Sequence, residues 1–188
     1  KQGVVGVMLQ DGGHCGMVPS LQGRVQRPYT RWSLLAMAEV AALQLLTVPW
    51  PTRLFLFCRD AAVGMLLTNA CAVFTSFNAA PLLDCTAWPR LAQMSNSPMW
   101  KFHLGNFLVH MLPVFVALFW WLSLQGPTPM GPFTGFATAA VHFTWSFLRA
   151  GGLDLSEVYV EMQLWQWYVL WIIAATTHLL VGVVMFSM

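Results

Sequence analysis

Apolar residues follow one another along this chain in long runs, and the runs are separated by short stretches rich in Pro, Gly, Ser and charge. A helix that crosses roughly 30 Å of hydrocarbon needs about 20 mostly apolar residues. Five runs meet or approach that length, at about 32–50, 54–79, 101–124, 132–149 and 163–187. Between them, "PWPTR" at 49–53, "PLLDCTAWPRLAQMSNSP" at 81–98, "QGPTPMGP" at 125–132 and "AGGLDLSEVYVEM" at 150–162 read as loops. The pattern predicts an all-α, polytopic integral membrane helical bundle of about five transmembrane helices. Residues 1–31 read as a polar, non-spanning lead and residues 32–188 as a single transmembrane domain. The opening "KQGVVGVMLQDGG" is broken too soon by Gln and Asp to read as a signal peptide.

Composition agrees with the runs. Of 188 residues, 57% are hydrophobic and 9% charged, where a soluble domain carries about 25% charged residues. The formal charge is +2, with Lys and Arg spread out rather than clustered, so a nucleic-acid partner has no electrostatic footprint. An N-terminus on the cytoplasm-like side places Lys1, Arg24, Arg27, Arg31, Arg90, Lys101 and Arg149 there, and leaves Arg53 and Arg59 opposite. The positive-inside rule favours that orientation. Trp32, Trp50, Trp100, Trp120, Trp121, Trp165 and Trp167 fall near the expected span ends, where indole rings prefer the interface. Cys15, Cys58, Cys71 and Cys85 have no metal-binding or redox spacing and read as buried free thiols. No metal site is expected, and the signatures of nucleotide-binding, zinc-protease and nucleophile-elbow enzymes are absent.

Ionisable groups at membrane depth are expensive and normally face other helices. The expected spans contain Glu39, the adjacent Arg59 and Asp60, and four histidines, His103, His110, His142 and His178. His110 stands near the middle of its run, with Asn106 and His103 at i−4 and i−7 on one helical stripe. Pro113 cannot donate a backbone hydrogen bond and clashes with the Val109 carbonyl, which predicts a kink beside His110. A kink there opens room for a ligand or water; a packed histidine bonded to a neighbouring helix is the plainer reading. His142 continues a stripe from Thr134 and Thr138, beside a small-residue strip of Gly135 and Ala139 that announces close helix packing. Arg59 and Asp60 project about 100° apart on a helix, so each is expected to meet a different neighbour. Thr30 precedes the first run, where Thr is a favoured helix N-cap.

Two stretches together, "PYTRWSLLAMAEVAALQLL" and "RDAAVGMLLTNACAVFTSFNAAP" leading to "NSPMWKFHLGNFLVHMLPVF", resemble the androgen-induced, FAR-17a-like family of polytopic membrane proteins. The shared features are Thr30 at the mouth of a helix, Arg59–Asp60 near the opening of the next, and Asn106 with His110, Leu112 and Pro113 in a third. The resemblance runs over about residues 19–187 and lacks the family's first span. It implies hydrolysis of fatty acid esters within the bilayer, Thr30 as nucleophile and His110 as its base, no cofactor, and residence in the endoplasmic reticulum. Asn106, His103 and His142 then become supporting residues that supply donors to an oxyanion. Another reading is a non-catalytic accessory subunit of a larger, organellar and respiratory membrane complex in the mitochondrial inner membrane. Its partners are membrane lipids and other subunits. A third is haem held between two of the midspan histidines His110, His142 and His178.

Overall fold

A computed structural model describes residues 29–94, 96–124, 126–128, 130–149 and 163–187; the side chains at 29–34, 94, 145–149, 164 and 167 lie outside that description. All regular structure among the described residues is helical: α1 (Tyr29–Thr47), α2 (Arg53–Leu83), α3 (Ala87–Met94), α4 (Met99–Asn106), a π turn (Phe107–Met111), α5 (Leu112–Ser123), α6 (Gly131–Arg149) and α7 (Leu164–Phe186). α4, the π turn and α5 form one continuous rod. Arg53–Leu83, Met99–Ser123 and Tyr168–Phe186 are long and apolar enough to cross a membrane, and Leu35–Thr47 is a shorter apolar helix.

α2 is the axis of the bundle, packed against α1, the α4–α5 rod, α6 and α7. A helix covered on all sides must be apolar or small all round, and α2 buries Ala62, Val63, Leu66, Leu67, Ala70, Ala72, Val73 and Phe77 in succession. Thr52 starts it, accepting the Phe55 N–H at 3.3 Å. Asp84 ends it, and Pro81 is tolerated only a turn before that end. The outer helices each contribute one stripe. α1 gives Ala36 and Val40, α5 gives Ala117 and Trp121, and α7 gives Met185 to the core around Leu66.

The register of contacts fixes the directions. The Gln166 side-chain amide donates to the Leu83 carbonyl at 2.9 Å, the Thr75 and Thr177 hydroxyls meet at 2.9 Å, and Met185 packs near Leu66, so α7 runs antiparallel to α2. Phe133 meets Phe186 and Phe143 meets Trp171, so α6 is antiparallel to α7 and runs with α2. Phe77 lies against Phe102 while Trp121 shares the core with Leu66, so the α4–α5 rod also runs against α2. The end that holds Leu83 therefore also holds the start of α4 and of α7 and the end of α6. Arg90, Lys101 and Arg149 belong to this end by chain position, and Arg53 and Arg59 to the other.

α2 and α6 touch through glycines. A Cβ at Gly64 would strike the Pro132 backbone, and one at Gly135 the backbone of Ala61 and Met65. The small-residue strip at Gly135 and Ala139 thus does what its spacing predicted, bringing two backbones together. At the start of this crossing Asp60 is fully buried and accepts four hydrogen bonds. Arg59 Nε and Nη2 donate to Oδ1 at 2.8 and 2.6 Å, and the Thr128 N–H and hydroxyl donate to Oδ2 at 2.7 and 2.8 Å. The expectation that Arg59 and Asp60 turn to different neighbours is corrected here. The long arginine side chain folds back to its adjacent carboxylate, which still has a second oxygen free for the α5–α6 connection.

The expected 81–98 loop also contains more order than its Pro and Asp suggested. α3 occupies its middle, and Arg90 donates to Asp84 and, at 2.7 Å, to the Thr86 hydroxyl. Cys58 and Cys71 are half-buried thiols, whereas Cys85 is exposed at this corner; Cys15 lies outside the described residues.

Candidate functional site

His110 occupies the π turn. A π turn carries one extra residue into a helix and recurs at functional sites. Here its cause is local: Pro113 has no N–H to give the Val109 carbonyl, and the Leu112 N–H bonds back to the Phe107 carbonyl, five residues earlier. The kink expected from "HMLP" is thus a widened turn that contains the histidine. Phe77 of α2 lies flat on the imidazole, with ring centroids 3.7 Å apart and planes 12° from parallel. Trp88 of α3 and Phe102 of α4 continue this aromatic cluster, Trp88 stacking on Phe77 at 6.1 Å and tilting against Phe102 at 6.1 Å.

Polar groups in and beside the turn are poorly supplied with partners. Asn106 is 6% exposed, and its Oδ1 has no hydrogen-bond partner among the described residues. His110 Nδ1 is buried as well; the Asn106 backbone carbonyl approaches the ring without making an aligned hydrogen bond. Buried polar atoms are bonded in the great majority of cases, so two such atoms one turn apart mark this turn out.

The remaining sequence candidates are distributed around it. His103 is exposed on α4, edge-on to Trp88 at 5.6 Å and to Phe102 at 5.9 Å. α1 packs against the π turn, and Thr30 is the second residue of α1. Its backbone is helical, so it is not the N-cap, and its side chain lies outside the described residues. Among the long helices the π turn has α1 and α2 as its main neighbours, whereas His142 stands on α6 and His178 on α7, which pack on each other and on α2. His178 is buried, its Nδ1 bonded to the Ala174 carbonyl at 2.8 Å and its ring against Phe143 at 4.5 Å. Among the described residues no group of three or more His, Cys, Asp or Glu side chains is arranged to hold a metal ion.

Glu39 is exposed on α1, among the equally exposed Leu35, Ala38, Ala41 and Ala42. Within a span such a carboxylate could pair with Arg59, Arg31 or a histidine. Arg59 is instead bound to Asp60, and the Arg31 side chain lies outside the described residues. Phe77 and Trp88 were not singled out from the sequence, since an aromatic residue in an apolar run carries no sign that it will cover a histidine on another helix. No family model, curated protein or solved structure matches this chain.

Proposed function

We propose that the chain is an integral membrane helical bundle that hydrolyses fatty acid esters within the bilayer, with Thr30 as nucleophile and His110 as base. The observation that carries this reading is the π turn: a histidine at a widened helical turn, beside a buried asparagine, with a ring nitrogen that no neighbour engages in an aligned bond. The contact of α1 with that turn supports it, since Thr30 lies at the start of α1. So does the resemblance to the androgen-induced family in the order of Thr30, Arg59–Asp60, Asn106 and His110. The outward surfaces suit hydrocarbon, with Leu122 81% and Leu179 67% exposed; in water such faces would drive association. The antiparallel register around α2 agrees with the positive-inside orientation, as Arg90, Lys101 and Arg149 share one end.

In this reaction the His110 imidazole takes the Thr30 hydroxyl proton as Oγ1 attacks the acyl carbon. The alcohol leaves with that proton and an acyl-threonine remains. Water then attacks the same carbon, gives its proton to His110, and the proton returns to Thr30 Oγ1 as the fatty acid departs. The substrate reaches the site sideways from the lipid. The test is turnover of a long-chain ester by the purified chain in lipid nanodiscs. Thr30→Ala should abolish it and His110→Ala should lower it about 10²- to 10⁴-fold; equal turnover in all three proteins would end the proposal.

One observation favours a second reading, a non-catalytic subunit of a membrane complex. Glu39 is exposed on an apolar helix, and a carboxylate at that depth is stabilised when another chain covers it with a donor. Under this reading the chain leaves the membrane only as part of an assembly, and Phe77 is on His110 simply to pack it.

A further inference from the structure

We propose that Asn106 and His110 hold one hydroxyl group between them, that of a buried water molecule or of an alcohol-bearing lipid. The inference rests on one atom in the π turn and one on the residue just before it, and not on the hydrolase reading, to which it would supply a bound water. Asn106 is more than nine-tenths buried and its Oδ1 has no donor among the described residues. His110 follows one turn later, the spacing at which helical side chains meet, and its buried Nδ1 has no aligned partner. Phe77 covers one face of the imidazole and leaves the in-plane nitrogens as its polar edge.

The chemistry of these atoms restricts what fits. An amide oxygen only accepts, so its partner must be a donor. An ester carbonyl, an ether oxygen and an acyl chain are excluded as partners for Oδ1. An ammonium group donates too, but burying a cation costs far more than burying a neutral hydroxyl. A hydroxyl donates to Oδ1 and, through its lone pairs, accepts from Nδ1–H. If the proton is on Nε2 instead, a water molecule gives its second hydrogen to Nδ1. Water therefore serves either tautomer, as buried water completes polar groups in protein interiors, and an alcohol serves the Nδ1–H tautomer.

The experiment is solid-state NMR of the full chain, with ¹⁵N-labelled histidine, in nanodiscs of phosphatidylcholine, which carries no O–H group, with and without added diacylglycerol. A proton cross peak from water to the His110 ring nitrogen in phosphatidylcholine alone identifies water as the source. A cross peak that appears only with diacylglycerol identifies the lipid alcohol. Asn106→Leu should remove the peak in either case, and Asn106→Ser, which keeps a short acceptor, should retain part of it. Absence of any O–H cross peak to the wild-type ring under both conditions overturns the proposal. So does an undiminished peak in folded Asn106→Leu. None of these outcomes depends on whether the chain turns over an ester.

Discussion

Phe77 and His110 lie face to face, 3.7 Å between ring centroids, and this contact joins the central helix to the π turn. Phe77 is 8% exposed and also touches Trp88 and Phe102, so its removal empties the centre of an aromatic cluster. Phe77→Ala should destabilise the bundle by about 3 kcal/mol, the low end for a buried phenylalanine. Reversible unfolding in mixed detergent checks this; a loss below about 0.5 kcal/mol would mean that the stack contributes nothing beyond proximity.

The Asp60 clamp makes a second prediction. Asp60→Leu leaves Arg59 without its carboxylate and Thr128 without its acceptor, and should cost about 3–5 kcal/mol, as for a buried ion pair broken from one side. The double variant Arg59→Met/Asp60→Leu should recover part of that loss, because no unpaired charge remains. Thermal unfolding of the three proteins in one detergent decides it, and an additive double variant would contradict the clamp.

Gly135 offers a steric test. A methyl group there meets the backbone of Ala61 and Met65, which cannot rotate away as a side chain would. Gly135→Ala should destabilise by about 1–3 kcal/mol as the helices are forced apart, whereas the same change at Gly105, where a Cβ meets nothing within 4 Å, should be neutral or slightly stabilising. Equal effects at the two positions would contradict the α2–α6 contact.

The corner between α2 and α3 should respond to pH. Burial alone would raise the Asp84 carboxyl, but the hydrogen bonds from Thr86 and the Arg90 guanidinium outweigh it and hold the group below its ordinary value. A carboxylate lowered in the folded state contributes stability above its unfolded value, about 4, and loses it as pH falls through the lower folded value. Stability should therefore decline between about pH 4 and the lower folded value, and Asp84→Asn should flatten that part of the profile. An identical acid profile for the variant would show that the Asp84–Arg90 contact is not coupled to folding.

What could be read from the sequence follows from how local each feature is. The rods at 29–47, 53–83, 99–123, 131–149 and 164–186 follow the apolar runs to within a few residues, because length and apolarity are properties of one segment. Gly135 and Ala139 were legible as a contact strip, and Pro113 as a distortion, for the same reason. α3 was missed because eight residues with a proline in the first turn carry too short a pattern. The pairing of Arg59 with Asp60 depends on an arginine rotamer and on Thr128, 68 residues later, and the covering of His110 by Phe77 depends on how two helices are set against each other. Those relationships belong to tertiary structure, and helical period alone does not encode them.

The central claim is that Thr30 is a nucleophile activated by His110, and covalent labelling tests it most directly. The full chain in lipid nanodiscs would be treated with a long-chain fluorophosphonate and the modified residue located by mass spectrometry of the digest. The account predicts a phosphonyl adduct on Thr30 that is lost in Thr30→Ala and strongly slowed in His110→Ala. A folded wild-type chain that takes up no label at Thr30, or labels equally without His110, would contradict it.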